Sequence, residues 1–194
     1  GSTCHPHIVL WSMYMAAAEK MGISTDKITG NLNSSVLDEY IGRGNYVFQP
    51  KGAMRLAMDT IEYGLKHMPK VSYLVANAHS YREAGATIVQ EGAFALASSI
   101  AFIEEAINRG IDVDDFASRI SVNTCTHINF FEEASKYRAL RRLWARILKE
   151  RFGAKKSRAL QFKFGVGCGG SVLTAAQAEN NIVRLTLQAL GGLL

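Results

Sequence analysis

The chain of 194 residues has only three cysteines, Cys4, Cys125 and Cys168, odd in number and far apart. This excludes a disulfide framework and points to free thiols in a reducing compartment such as the cytoplasm. No apolar run approaches the roughly 20 residues that cross a bilayer. No basic stretch followed by an apolar one stands at the start, so neither a membrane span nor a secretory leader is expected. Charge of one sign is also in short supply. The net formal charge is +5, and the basic residues are scattered or gathered on one helix without aromatic interleaving, which argues against a nucleic-acid partner. The glycine-rich run Gly165 to Ser171 lacks the Gly-Lys-Ser/Thr ending of a phosphate cradle and does not fit a dinucleotide fingerprint.

What is present is a globular composition, 48% hydrophobic and 20% charged, sufficient to bury a core. Ile8 to Met21 reads as an apolar helix ended by Gly22, Asp26 to Leu32 as a short strand, and Val36 to Tyr40 as the start of a helical turn. Gly52 to Met68 places Met54, Ala57, Met58, Ile61 and Leu65 on one helical face, and Pro69 closes it. Val71 to Ala76 has almost no polar alternation, as in a strand buried on both faces. Ala86 to Asn108 predicts a long helix stopped by Gly110, Asp112 to Asp115 a polar turn, and Ile120 to Thr124 a strand. Asn129 to Arg151 predicts a helix with Phe130, Phe131, Ala134, Tyr137, Leu140, Trp144, Ile147 and Leu148 towards the core and a solvated arginine face. Leu160 to Val166 is the next strand and Thr174 to Leu190 the final helix.

Strand starts near Ile28, Ser72, Ile120 and Leu160 recur every forty-odd residues. This rhythm predicts an α/β fold with right-handed crossovers and a parallel sheet, open or closed into a barrel. Only about four strands are visible where a closed barrel needs about eight. Three strand-to-helix junctions turn polar, around Gly30 to Tyr40, Asn77 to Thr87 and Arg119 to His127. Ligands of parallel α/β proteins sit at such strand ends, so the three junctions predict one shared site.

These junctions carry a resemblance to a known family. Arg82-Glu83-Ala84-Gly85-Ala86-Thr87, Gln90 to Ala97, Gly110 to Ser121, Asn129-Phe130-Phe131-Glu132-Glu133, Ala139 to Ala145, Leu173-Thr174-Ala175 and Asn180 to Arg184 are similar, in order and spacing, to coenzyme-B12-dependent acyl-CoA mutases of the methylmalonyl-CoA mutase family. The likeness runs from about Ser2 to the last residue. It implies a partial (β/α)8 TIM barrel, from about strand four or five to strand eight. Residues 1–194 would then form part of an acyl-CoA-binding domain. The Asp-x-His-x-x-Gly motif of the family's cobalamin-binding domain is absent, so that domain or subunit and the missing barrel half are expected partners, in an oligomer. The implied cofactor is adenosylcobalamin, and the implied reaction is a radical carbon-skeleton rearrangement of methylmalonyl-CoA, succinyl-CoA or a related acyl-CoA. The alternatives are a non-catalytic barrel fragment and a degenerate CoA-binding module.

The resemblance assigns candidate roles residue by residue. Arg43 falls on an arginine that pairs with the acyl carboxylate, a task suited to a planar guanidinium; alone it reads as a solvated loop residue. Counting back from Glu83, Ser80 takes the slot of the family's histidine and His79 the slot of its tyrosine, so the catalytic pattern is displaced by one position. A strand bulge would re-aim His79 towards a thioester carbonyl. Asn33 and Asn31 fall on substrate-contacting positions, or serve as turn and cap residues. Arg119 and Ser121 match CoA-binding residues, and Asn123 continues their strand face. Glu83 falls near the cofactor or caps its helix. Gly167 and Gly169 are expected to allow close backbone approach to the corrin, although the turn's usual His-Thr-Gln side chains are missing. No metal-ligand set is expected: Cys4, His5 and His7 make a weak zinc signal, and Cys125 and His127 read as lining or core residues.

Overall fold

The computed structural model describes residues 7–194. The side chains of Cys4, His5 and His7 lie outside the described residues. Helix α1 (His7–Lys20) ends at Gly22, which takes a left-handed φ of 69°. A single 3-10 turn over Thr25–Lys27 shortens the strand expected from Asp26 to Leu32, leaving β1 as Gly30–Asn31. Glu39–Arg43 winds as a π-helical turn, and α2 (Pro50–His67) starts on a proline whose missing N–H costs nothing at that position.

The strands run parallel in chain order. Strand β1 pairs with β2 (Val71–Ser72), and β3 (Leu74–Asn77) pairs with β4 (Ile120–Thr126), which pairs with β5 (Phe164–Cys168). Asn77 lies opposite Asn123, Asn123 opposite Gly165, and Cys125 opposite Gly167. Val75, Ser121, Asn123 and Gly165 lie on the open face, while Leu74, Ala76, Ile120 and Val122 are buried in the core.

The run expected from Val71 to Ala76 is broken at Tyr73, where Tyr73 and Leu74 are buried in succession. The break has a local cause. The Tyr73 phenol reaches the carbonyl oxygens of Gly64 and Met68 at the end of α2, and its ring fills the space beside Gly64, where a Cβ would stand 2.2 Å from Cε1. Side-chain alternation therefore resets between Ser72 and Val75, and Asn77 rather than Ala76 shares the face of Asn123.

Short α3 (Ala78–Glu83) follows β3 at once, so His79 and Ser80 stand in a helical turn rather than on a strand end. Helix α4 (Ile88–Asn108) begins with a reciprocal capping box between Thr87 and Gln90. The polar turn expected at Asp112 to Asp115 is helix α5 (Val113–Ala117), because the Asp112 side chain accepts the Asp115 N–H at 3.0 Å as an N-cap. Helix α6 (Phe130–Glu150) buries Tyr137, Leu140, Trp144 and Leu148, but Phe131 is 83% exposed.

The strand predicted from Leu160 begins later, at Phe164, because Ser157–Leu160 forms α7 and its Ala159 carbonyl accepts the Trp144 indole N–H at 2.9 Å. The final helix α8 (Asn181–Leu193) also starts later than expected. Gln177 adopts a left-handed φ of 53°, and the Asn181 side chain clamps both backbone groups of Thr174, so the segment between them cannot continue a helix. No described helix is long and apolar enough to cross a membrane.

Candidate functional site

The open face of the strands forms a hollow of about 800 Å³. All six expected substrate-binding residues, Asn31, Asn33, Arg43, Arg119, Ser121 and Asn123, line it. Lys70, Arg158 and Lys163 join Arg43 and Arg119, giving five cations and, among the described residues of the lining, no carboxylate. Burial and the neighbouring charges of Arg158 and Arg119 hold the Lys163 ammonium below its ordinary range. Crowded like charges of this kind favour a polyanionic ligand. The Asn33 side-chain oxygen is buried here without a hydrogen-bond partner.

One hydrogen-bonded chain links the hollow to α3. Arg43 Nη1 donates to Glu39 at 2.9 Å and Arg43 Nε to the Ser80 hydroxyl at 3.3 Å. Asn77 Nδ2 also donates to Ser80, at 2.8 Å, and Asn77 Oδ1 accepts from Asn123 at 3.1 Å. Ser80 thus serves as an acceptor for the guanidinium and the amide, and fixes where Arg43 points. Asn77 and Glu39 are members of this chain that the residue-by-residue reading left out. Beneath it, the buried Asp38 carboxylate accepts the Asn77 N–H at 2.5 Å and the Tyr81 hydroxyl. Burial pushes the Asp38 carboxyl up.

Arg119 is anchored differently. Its guanidinium donates to the Pro69 and Val71 carbonyls and lies 5.6 Å from the Tyr73 ring centroid. Among the described residues Arg119 makes no salt bridge; its partners are these carbonyls and the ring.

The remaining expected residues, His79, Glu83, Gly167 and Gly169, do not line the hollow. They meet at the strand tips. Glu83 accepts the Ser171 N–H at 3.1 Å, the Ser171 hydroxyl at 3.0 Å and the Cys125 thiol at 3.6 Å, with His127 Nε2 3.3 Å away. Burial works to raise the Glu83 carboxyl, but the hydrogen bonds from Ser171 and His127 hold it below the usual carboxylate range. The two glycines accommodate imidazoles: a Cβ on Gly167 would stand 2.7 Å from His79 Nδ1, and one on Gly169 2.3 Å from His127 Cδ2.

A buried ionic lattice behind the β4 tip escaped the sequence reading entirely. Lys136 lies 3.0 Å from Glu91 and 2.6 Å from Glu133, and Arg82 lies 3.8 and 3.7 Å from the same two carboxylates. Glu91 accepts the Cys125 N–H at 2.8 Å, Lys136 donates to the Cys125 carbonyl at 2.5 Å, and Glu133 accepts the His127 N–H at 3.1 Å. Burial would lower the Lys136 ammonium, but the two carboxylates outweigh it and keep it charged. The available signal was the appearance of Glu133 and Lys136 among the apolar positions of α6.

A family model described as methylmalonyl-CoA mutase matches residues 2–194. A methylmalonyl-CoA mutase of Rhizobium meliloti is 37% identical over 187 residues, 96% of this chain and 26% of that protein. The 2-hydroxyisobutanoyl-CoA mutase large subunit of Aquincola tertiaricarbonis is 35% identical over 186 residues, 96% of this chain and 33% of that protein. The mitochondrial methylmalonyl-CoA mutase of Homo sapiens is 33% identical over 177 residues, 91% of this chain and 24% of that protein. The chain therefore spans about a quarter to a third of the length of these curated relatives. Matched along nearly its whole length, it belongs to the methylmalonyl-CoA mutase family.

Proposed function

We propose that this chain is the acyl-CoA-binding part of an adenosylcobalamin-dependent acyl-CoA mutase. Its parallel strands would form an arc of a (β/α)8 barrel completed by other segments or chains. One observation carries the reading: the six residues expected to hold an acyl-CoA converge on a single cationic hollow without a carboxylate in its described lining. Arg119, Arg158 and Lys163 suit the phosphates of CoA. Arg43, oriented by Glu39 and Ser80, suits the carboxylate of a dicarboxylic acyl group. Asn33, with its unpartnered oxygen, and Asn123 offer neutral hydrogen bonds to the acyl portion. Ser80 acts by positioning Arg43.

Adenosylcobalamin would supply an organic radical for hydrogen abstraction from the acyl group. The strand tips as placed do not fit a corrin. Gly167 and Gly169, expected as its floor, are covered by His79 and His127, and Glu83 is occupied by Ser171. A corrin would have to displace both imidazoles. This covering favours a second reading, a CoA-binding module without isomerase activity.

Calorimetric titration with CoA and with succinyl-CoA tests both. Saturable binding that weakens as salt rises supports the hollow as the CoA site, and tighter binding of succinyl-CoA, lost in Arg43→Ala, supports the carboxylate assignment. Absence of CoA binding defeats both readings. Binding without turnover, when the chain is supplied with adenosylcobalamin, a family cobalamin-binding domain and the complementary barrel segments, selects the second.

A further inference from the structure

We propose that His79, Glu83 and Cys125 bind one divalent transition-metal ion of the zinc class, at the strand tips and outside the CoA hollow. The three residues come from two turns of α3 and from the tip of β4, and their ligand atoms lie within 4.8 Å of one another. Imidazole nitrogen, thiolate sulfur and carboxylate oxygen are the three donor types that zinc takes, and three protein ligands leave its fourth position open. A tetrahedral site with these donors needs ligand atoms roughly 3.5 Å apart. Cys125 Sγ and Glu83 Oε1 already stand at 3.6 Å, so His79 alone has to close in.

Two further observations point to a ligand. His79 Nδ1 is buried and has no hydrogen-bond partner, at a cost that metal coordination would remove. Glu83 has no lysine or arginine ion-paired with it among the described residues, only His127, which holds the carboxylate from the side as outer partners of metal ligands do. The surroundings are also rigid. Cys125 has its N–H fixed by Glu91 and its carbonyl by Lys136, and His79 rests over Gly167 where any side chain would collide. Burial, followed by the charges of Glu83 and Glu91, pushes the Cys125 thiol up, so the metal-free site keeps its proton. Binding would form the metal–sulfur bond with release of that proton to solvent.

The test is titration of the metal-free chain with cobalt(II), followed by competition with zinc and metal analysis after gel filtration. One retained equivalent per chain is expected, with a thiolate-to-cobalt charge-transfer band and proton release. Cys125→Ser and His79→Ala are expected to lose the band, His127→Ala to weaken binding about 10- to 100-fold, and Cys4→Ser and Cys168→Ser to retain it. X-ray absorption of the zinc-loaded wild type requires no variant and is expected to show one sulfur among nitrogen and oxygen neighbours. Failure to retain an equivalent, a shell without sulfur, or a band that survives in Cys125→Ser or vanishes in Cys4→Ser overturns the proposal.

Discussion

Ser171 donates its backbone N–H to Glu83 Oε2 at 3.1 Å and its hydroxyl to Glu83 Oε1 at 3.0 Å, across 88 positions of sequence. The clasp ties the end of α3 to the turn after β5. It also makes the turn depend on the charge of one carboxylate.

Hydrogen bonds hold the folded-state pKa of Glu83 below its ordinary value. The stabilisation they confer is therefore present above the unfolded-state pKa and is lost as pH falls through the depressed folded one. The protection factor of the Ser171 amide, followed by hydrogen exchange, should drop in that acid window. In Glu83→Gln it should be low and insensitive to pH. An unchanged protection factor in wild type down to strong acid would defeat the assignment.

Two glycines of α2 should respond in opposite directions. A methyl at Gly64 would meet the Tyr73 ring at 2.2 Å, so Gly64→Ala should cost about 1–3 kcal/mol or more by overpacking. At Gly52 nothing lies within 4 Å, so Gly52→Ala should gain about 0.5–1 kcal/mol from helix propensity. Urea midpoints of the two variants decide this; equal shifts would contradict the packing described.

Removing the ammonium from the buried lattice leaves Glu91 and Glu133 without their nearest cation. Lys136→Met should destabilise by about 3–5 kcal/mol, and adding Glu91→Gln should recover part of the loss. A double-mutant cycle by urea denaturation measures the coupling. Additive costs would mean that the two side chains do not interact.

In the hollow, truncation of Arg43 or Arg119 removes a charge-assisted hydrogen-bonding group. Each Ala variant should weaken acyl-CoA binding by about 1.5–3 kcal/mol, roughly 10- to 100-fold. Arg43→Lys should recover only part of the affinity, because an ammonium lacks the planar fork. Calorimetry with the same succinyl-CoA ligand checks all three variants.

The parallel α/β alternation was legible because helical and strand periods differ and Gly22, Pro69 and Gly110 punctuate them. The six residues of the hollow were legible because they occupy motif positions on strand ends and loops. The ionic lattice was not, since Arg82, Glu91, Glu133 and Lys136 read as surface charge until α3, α4 and α6 pack them together behind β4. The cluster at the strand tips was hidden for a similar reason. His79 and Cys125 are far apart in sequence, and the glycines that admit the imidazoles reveal their use only when the strands are in register. Boundaries failed where side chains substitute for backbone partners, as Asn181 does at Thr174 and Trp144 at Ala159.

The interruption at Tyr73 has a consequence for how this protein can vary. Because the chain falls out of step by one residue there, the identity of the groups facing the ligand is a matter of phase as well as of composition. A single deletion at Val75, which keeps the interruption, would turn Ala76 towards the ligand face and Asn77 into the core, stripping Ser80 and Asn123 of their shared partner in one event. Diversification of ligand preference along this arm is thus open to changes of length, which replace an entire row of contacts that substitutions could alter only one at a time.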